Sequence, residues 1–92
     1  MELWGMSLTE NFEAAVAASK QLSKRPDNTT LLQLYSLFKQ ASEGDAPAES
    51  NAGMFDFVAR AKYNAWNELR GKTKDQAMEA YIQLFEEIKA EE

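Results

Sequence analysis

Pro26, the stretch from Gly44 to Gly53, and Gly71 cut this chain into four segments, and each segment repeats its apolar residues at helical spacing. In the first, Leu8, Phe12, Ala15, Val16, Ser19 and Leu22 fall on one face. Ser7 and Glu10 have the spacing of a capping box, with Thr9 as a rival N-cap. This helix must end by Arg25, because proline disfavours helical geometry in the residue before it. Asp27 or Asn28 then caps a second helix from about Thr29 to Ser42. There Leu31, Leu34, Tyr35 and Phe38 form one stripe, and Leu32, Ser36 and Lys39 lie along a neighbouring one. Gly44 to Gly53, with Pro47 and small polar residues, reads as the longest loop. The third helix spans roughly Asp56 to Arg70, with Phe57, Ala61, Ala65, Trp66 and Leu69 facing inward and Gly71 as terminator. Thr73 and Gln76 repeat the capping-box spacing ahead of a fourth helix. Its buried stripe is Ala77, Ala80, Tyr81, Leu84 and Ile88, while Glu86, Glu87, Glu91 and Glu92 stay in water. The expected fold is all-α, a four-helix bundle in one domain over residues 7–92, with residues 1–6 as an N-terminal extension.

Composition narrows what such a bundle does. Ninety-two residues make one small domain, and 45% hydrophobic residues suffice for a packed core. With no cysteine and no histidine, disulfides, thiolate nucleophiles and the commonest general base and metal ligand are all missing. Ten cationic against fifteen acidic residues leave a net charge of -5. Nucleic-acid binding normally starts from a basic footprint, so that class is set aside. No apolar run approaches the ~20 residues that span a bilayer. The opening residues lack the basic and apolar regions of a secretory signal, so a cytoplasmic address is expected. Without such a signal, the glycosylation pattern Asn28-Thr29-Thr30 is set aside.

Against that acidic background, two lysines stand beside aromatic rings. Residues three and four apart on a helix are neighbours, so Tyr35 shares a surface with Phe38 and Lys39, and Lys62 precedes Trp66 by one turn. If the second and third helices lie side by side, Lys39 and Lys62 can clamp a phosphate, with Tyr35 as a hydroxyl donor and Phe38 as a flat face for a base. Base stacking of that kind contributes roughly 1–3 kcal/mol, and a charge-assisted hydrogen bond about 1.5–3 kcal/mol. The competing interpretation is structural: aromatics at this spacing form core, and lysines beside them snorkel to the rim.

Sequence words across the chain favour the first interpretation. Tyr35-x-x-x-Lys39-Gln40-Ala41, Gly44-Asp45, Gly53-Met54-x-Asp56-Phe57, Ala61-Lys62-x-x-Ala65-Trp66-Asn67-x-Leu69 and Ala77-Met78-x-Ala80-Tyr81 run in order. Together they resemble the acyl-coenzyme A-binding protein family from Phe12 to about Ile88. The resemblance implies a non-enzymatic, monomeric carrier of long-chain acyl-coenzyme A, with no cofactor, no metal, no nucleic-acid partner and no stable membrane insertion. Enzymes that use acyl-coenzyme A would be its partners. It further implies that Tyr35, Lys39 and Lys62 bind the 3′-phosphate of the ligand, and that the ring at Phe38 stacks on adenine. Ser36 and Leu37, within the same stretch, count with the ligand contacts. Tyr81 adds a contact, and Lys20 lies at the groove edge. The family commonly has tyrosine at the place of Phe38 and often tryptophan at the place of Tyr63, and the loop from Gly44 to Gly53 is one residue longer than usual.

Two other classes fit the residues less well. A helical protein-interaction module needs a groove but no phosphate lysines. A carboxylate enzyme would draw on Asp56 and Glu68, which stand about three turns apart on one helix.

Overall fold

The computed structural model describes residues 6–92. The extension expected over residues 1–6 therefore lies outside the described residues, apart from Met6. The regular structure among the described residues is four helices: α1 (Leu8–Ser19), α2 (Asn28–Glu43), α3 (Phe57–Asn67) and α4 (Lys74–Ala90).

Each start is fixed by a side chain that satisfies backbone N–H groups the helix itself leaves unpaired. The Ser7 hydroxyl accepts from the Glu10 N–H at 3.1 Å, and the Glu10 carboxylate accepts from the Ser7 N–H at 2.9 Å. Thr73 and Gln76 exchange the same pair of bonds at 3.0 Å each. Asp27, rather than Asn28, caps α2 through the Thr30 N–H at 2.8 Å. Asp56 caps α3 through the Ala59 N–H at 3.1 Å.

The ends are earlier than the apolar pattern alone requires. α1 stops at Ser19, where the Lys20 N–H closes the last turn on the Ala17 and Ala18 carbonyls, so Leu22 lies in the following turn. α3 stops at Asn67 because its last turn tightens: the Leu69 N–H bonds Trp66 and the Arg70 N–H bonds Asn67, each three residues back.

α2 packs against both α4 and α3, and α1 packs against α4. The core gathers Phe12 and Ala15 from α1, Leu34 and Ala41 from α2, and Ala77 and Tyr81 from α4. Phe12 sits at its centre, edge-on to the Tyr81 ring at 5.2 Å and stacked on Phe38 at 6.2 Å. Trp66 anchors α3, buried against α2 with its indole N–H donating to the Gly44 carbonyl at 2.8 Å. That carbonyl is available because Gly44 turns to φ 83°, a left-handed conformation that favours glycine, at the end of α2.

The loop between α2 and α3 is pinned from several sides. Tyr63 donates to the Pro47 carbonyl at 2.6 Å and Arg70 to the Ala46 carbonyl at 2.7 Å. The molecule measures 46 × 28 × 16 Å. α3 packs chiefly against α2, so much of its surface has little protein to bury against.

Three expectations are corrected here. Phe57 and Ala61 were expected to face inward, yet both are exposed, Phe57 at 69%. Phe57 lies about two and a half turns from Trp66, hence off the side of α3 that Trp66 packs onto α2, and it borders an open gap instead. Glu92 was expected to stay in water. Its carboxylate instead folds back to accept from the Ser23 N–H at 2.7 Å, joining the end of the chain to the α1–α2 connection.

Candidate functional site

Between α2 and α3 runs a groove of about 640 Å³. Leu31, Leu32 and Tyr35 form the α2 wall, and Phe57, Val58, Ala61 and Lys62 form the α3 wall. Arg25 and Asn28 close one end, and among the described residues no acid lines it. The walls follow directly from packing: Trp66 turns one side of α3 onto α2, which leaves Phe57, Val58 and Ala61 standing along the gap.

Lys62 and Tyr35, predicted from sequence as partners, meet across this groove. The Lys62 ammonium lies 5.2 Å from the centre of the Tyr35 ring, within cation–π range. Among the described residues, no carboxylate lies within ion-pair distance of Lys62. Its charge is therefore held over an aromatic face and left free for an anion.

Lys39 is engaged differently. Its ammonium pairs with Glu43 one turn along α2 and lies 4.8 Å from the centre of the Trp66 ring. Tyr35 and Trp66 also wall a second hollow of about 320 Å³, bounded by Tyr63 and the loop around Asn51 to Gly53. Tyr35 is shared by both spaces, with Lys62 on one side and the ring beneath Lys39 on the other.

The remaining predicted residues lie toward α1. Phe38, 37% exposed, stacks on Phe12 with the rings inclined by only 23°. Tyr81 is buried, and its hydroxyl lies 2.9 Å from the Ser19 hydroxyl. Ser19 donates its own proton to the Val16 carbonyl at 2.7 Å, so Tyr81 is the donor between them. Lys20 follows Ser19 in the exposed turn after α1. Ser36 is buried and donates to the Gln33 carbonyl at 2.9 Å, and Leu37 packs on the core. Tyr35, Lys39 and Lys62 thus gather around α3. Phe38 and Tyr81 follow a separate line of contacts through Phe12 to Ser19, Lys20 is exposed beyond it, and Ser36 and Leu37 point into the protein.

Arg25, Asn28 and Val58 line the groove without having been singled out from sequence. A signal for Val58 was present: Met54, Phe55, Phe57 and Val58 put four large apolar side chains into five positions. One helical face cannot bury them all. For Arg25, placed by the turn before Pro26, no local pattern pointed to a site.

The groove is apolar along its length and cationic where Arg25 and Lys62 border it. Such a surface suits an amphiphile with a long apolar part and an anionic group. Comparison with known proteins points the same way. A family model described as acyl CoA binding protein matches residues 9–85. An acyl-CoA-binding protein homologue of Caenorhabditis elegans is 44% identical over 81 residues, 88% of this chain and 93% of its own. The acyl-CoA-binding protein of Dictyostelium discoideum is 42% identical over 77 residues, 84% of this chain and 90% of its own. Among solved structures, acyl-CoA-binding protein 2 of Oryza sativa superposes with a TM-score of 0.84 at 34% identity, covering 92% of this chain and 93% of that one. With the family pattern running through α1, α2, α3 and most of α4, this chain belongs to the acyl-CoA-binding protein family.

Proposed function

We propose that this protein binds long-chain fatty acyl-CoA without chemical change, as a monomeric cytoplasmic carrier that hands the thioester to enzymes that use it. The observation that carries this reading is the Lys62 ammonium over Tyr35, with no carboxylate among the described residues in ion-pair range, at the border of an apolar groove. Lys62 and the Tyr35 hydroxyl hold the 3′-phosphate of the head group, and Lys39 joins them by exchanging Glu43 for phosphate. Phe12 covers one face of Phe38, and the other face stacks on adenine. Tyr81 and Lys20 contribute from the α1 side. The acyl chain lies in the groove, whose volume falls within the ~300–1,000 Å³ usual for small-molecule sites.

The two halves of the ligand do different work. The phosphorylated nucleotide fixes identity and position through charge-assisted bonds. The tail supplies the drive, about 0.8 kcal/mol for each methylene removed from water. Two further methylenes then tighten binding on the order of tenfold until the groove is full. Free fatty acid lacks the phosphate handle and binds weakly.

Calorimetric titration with palmitoyl-CoA, with CoA and palmitate as controls, tests this. Tight one-to-one binding of the thioester and weak binding of both controls is the expected result. No heat from any of the three, on folded protein at two temperatures, overturns it. Assaying free thiol in the same mixtures separates carriage from hydrolysis.

A further inference from the structure

Outside the core, the most exposed large apolar side chains are gathered at one corner. Met54, Phe55, Phe57 and Val58 are 74%, 79%, 69% and 67% exposed. Together they show on the order of 500 Å² of surface, a contiguous area large enough on a small protein to mark a contact site. They form a knob at the N-terminus of α3, and it is held in shape. Arg60 donates to the Met54 carbonyl at 3.1 Å, and the Asp56 N–H donates to the Gly53 carbonyl at 3.1 Å.

The charge around the knob runs against that of the whole chain. α3 carries Arg60 and Lys62 and no acid, in a protein of net charge -5. The one acid within the knob, Asp56, turns its carboxylate onto the Ala59 N–H. By contrast, α1 carries Glu10 and Glu13, and α4 carries Asp75, Glu79, Glu86 and Glu87. An apolar tip followed at once by cations, on an otherwise acidic molecule, is complementary to an anionic lipid surface: the tip enters the acyl boundary and the cations meet the head groups.

Size argues against a protein occupant. A stable protein–protein interface covers roughly 800 Å² on each partner, more than this knob offers. Met54 and Phe55 also stand in the turn before α3, outside the groove, so they present no trough for a partner helix. A bilayer needs no complementary shape. We propose that the α3 N-terminal knob is a reversible docking site for the surface of an anionic phospholipid bilayer. No described helix is long and apolar enough to cross a membrane, so the contact is peripheral. Phe57 and Val58 belong both to the knob and to the groove wall. Docking therefore sets the groove against the lipid, and an acyl tail passes between them without crossing open water. That last step rests on the acyl-CoA reading, whereas the docking itself does not.

Vesicle flotation tests the docking apart from the ligand. The unmodified protein is expected to float with equimolar phosphatidylcholine–phosphatidylserine vesicles, much less with phosphatidylcholine alone, and to be released by high salt. Met54 and Phe55 lie outside the groove wall. The double variant Met54→Ser/Phe55→Ser is accordingly expected to lose vesicle affinity by roughly tenfold or more while binding palmitoyl-CoA as before. Failure of the unmodified protein to float with either vesicle overturns the proposal, as does equal flotation of the variant. Self-association in sedimentation without vesicle binding would assign the knob to a second copy instead. Loss of palmitoyl-CoA binding in a protein that still floats would count against the groove and leave the docking site standing.

Discussion

Lys62 and Lys39 carry the same charge under different circumstances, and their substitutions separate accordingly. Among the described residues Lys62 has no acidic partner, so its removal takes away a group that the free protein hardly uses. Lys62→Ala is expected to weaken palmitoyl-CoA binding by about 1.5–3 kcal/mol, roughly ten- to a hundredfold. Stability should change little, because an exposed cation–π contact contributes only about 0.5–1 kcal/mol. Titration and thermal melting on one preparation check both, and unchanged affinity removes Lys62 from the site. Tyr81 is the opposite case. Its hydroxyl donates to Ser19 within the core, so Tyr81→Phe is expected to lower folding stability by about 1 kcal/mol in urea titration. Weaker ligand binding at unchanged stability would show that the hydroxyl serves the ligand rather than the fold.

α3 is the element whose reading from sequence and whose structure differ most. Its start was legible to within a residue, because the pattern begins at Asp56, although its end at Asn67 comes three residues before the expected Arg70. Its orientation was not, because periodicity shows that a stripe exists but not which helix covers it. Phe57 and Trp66 both looked like core, yet with α2 as the main neighbour only one side of α3 has anything to bury against. The same limit applied on α2. Tyr35 and Phe38 are three apart and share a surface, but Tyr35 turns to Lys62 on α3 and Phe38 to Phe12 on α1. Tertiary pairing split a cluster that helical spacing had joined. Phe57 and Trp66 should therefore differ sharply in effect. Trp66→Ala is expected to cost roughly 3–5 kcal/mol of stability, and Phe57→Ala less than about 0.5 kcal/mol. Denaturant titration of both variants decides it, and comparable losses would show that Phe57 is packed after all.

Across the whole molecule, a slab only 16 Å thick relies on ties between distant parts of the chain. Several of these end on carboxylates. Asp45 accepts from the Gly71 N–H and from the Gln40 side chain, each at 2.9 Å, joining α2 to the turn before α4. These two bonds, the Gly71 one foremost, hold its carboxyl below the usual value, and the Thr30 N–H does the same for Asp27. At Glu92 burial works upward, but bonds from Ser23, Lys89 and Lys24 together outweigh it and the carboxyl is again lowered. A carboxyl lowered by folding adds stability that is fully present above its unfolded value, about 3.9 for Asp and 4.3 for Glu. That stability is lost as pH falls through the lower, folded value. Since the chain has no histidine, no side chain with an ordinary value between about pH 5 and 8 is there to titrate. Stability measured by urea titration is therefore expected to be flat from about pH 8 down to about pH 5 and to fall steeply below about pH 4. Asp45→Asn keeps an oxygen for both donors but removes the charge, so it should lower the plateau and flatten the acid limb. A variant with an acid limb as steep as the parent's would place the dependence on Asp27 and Glu92 instead.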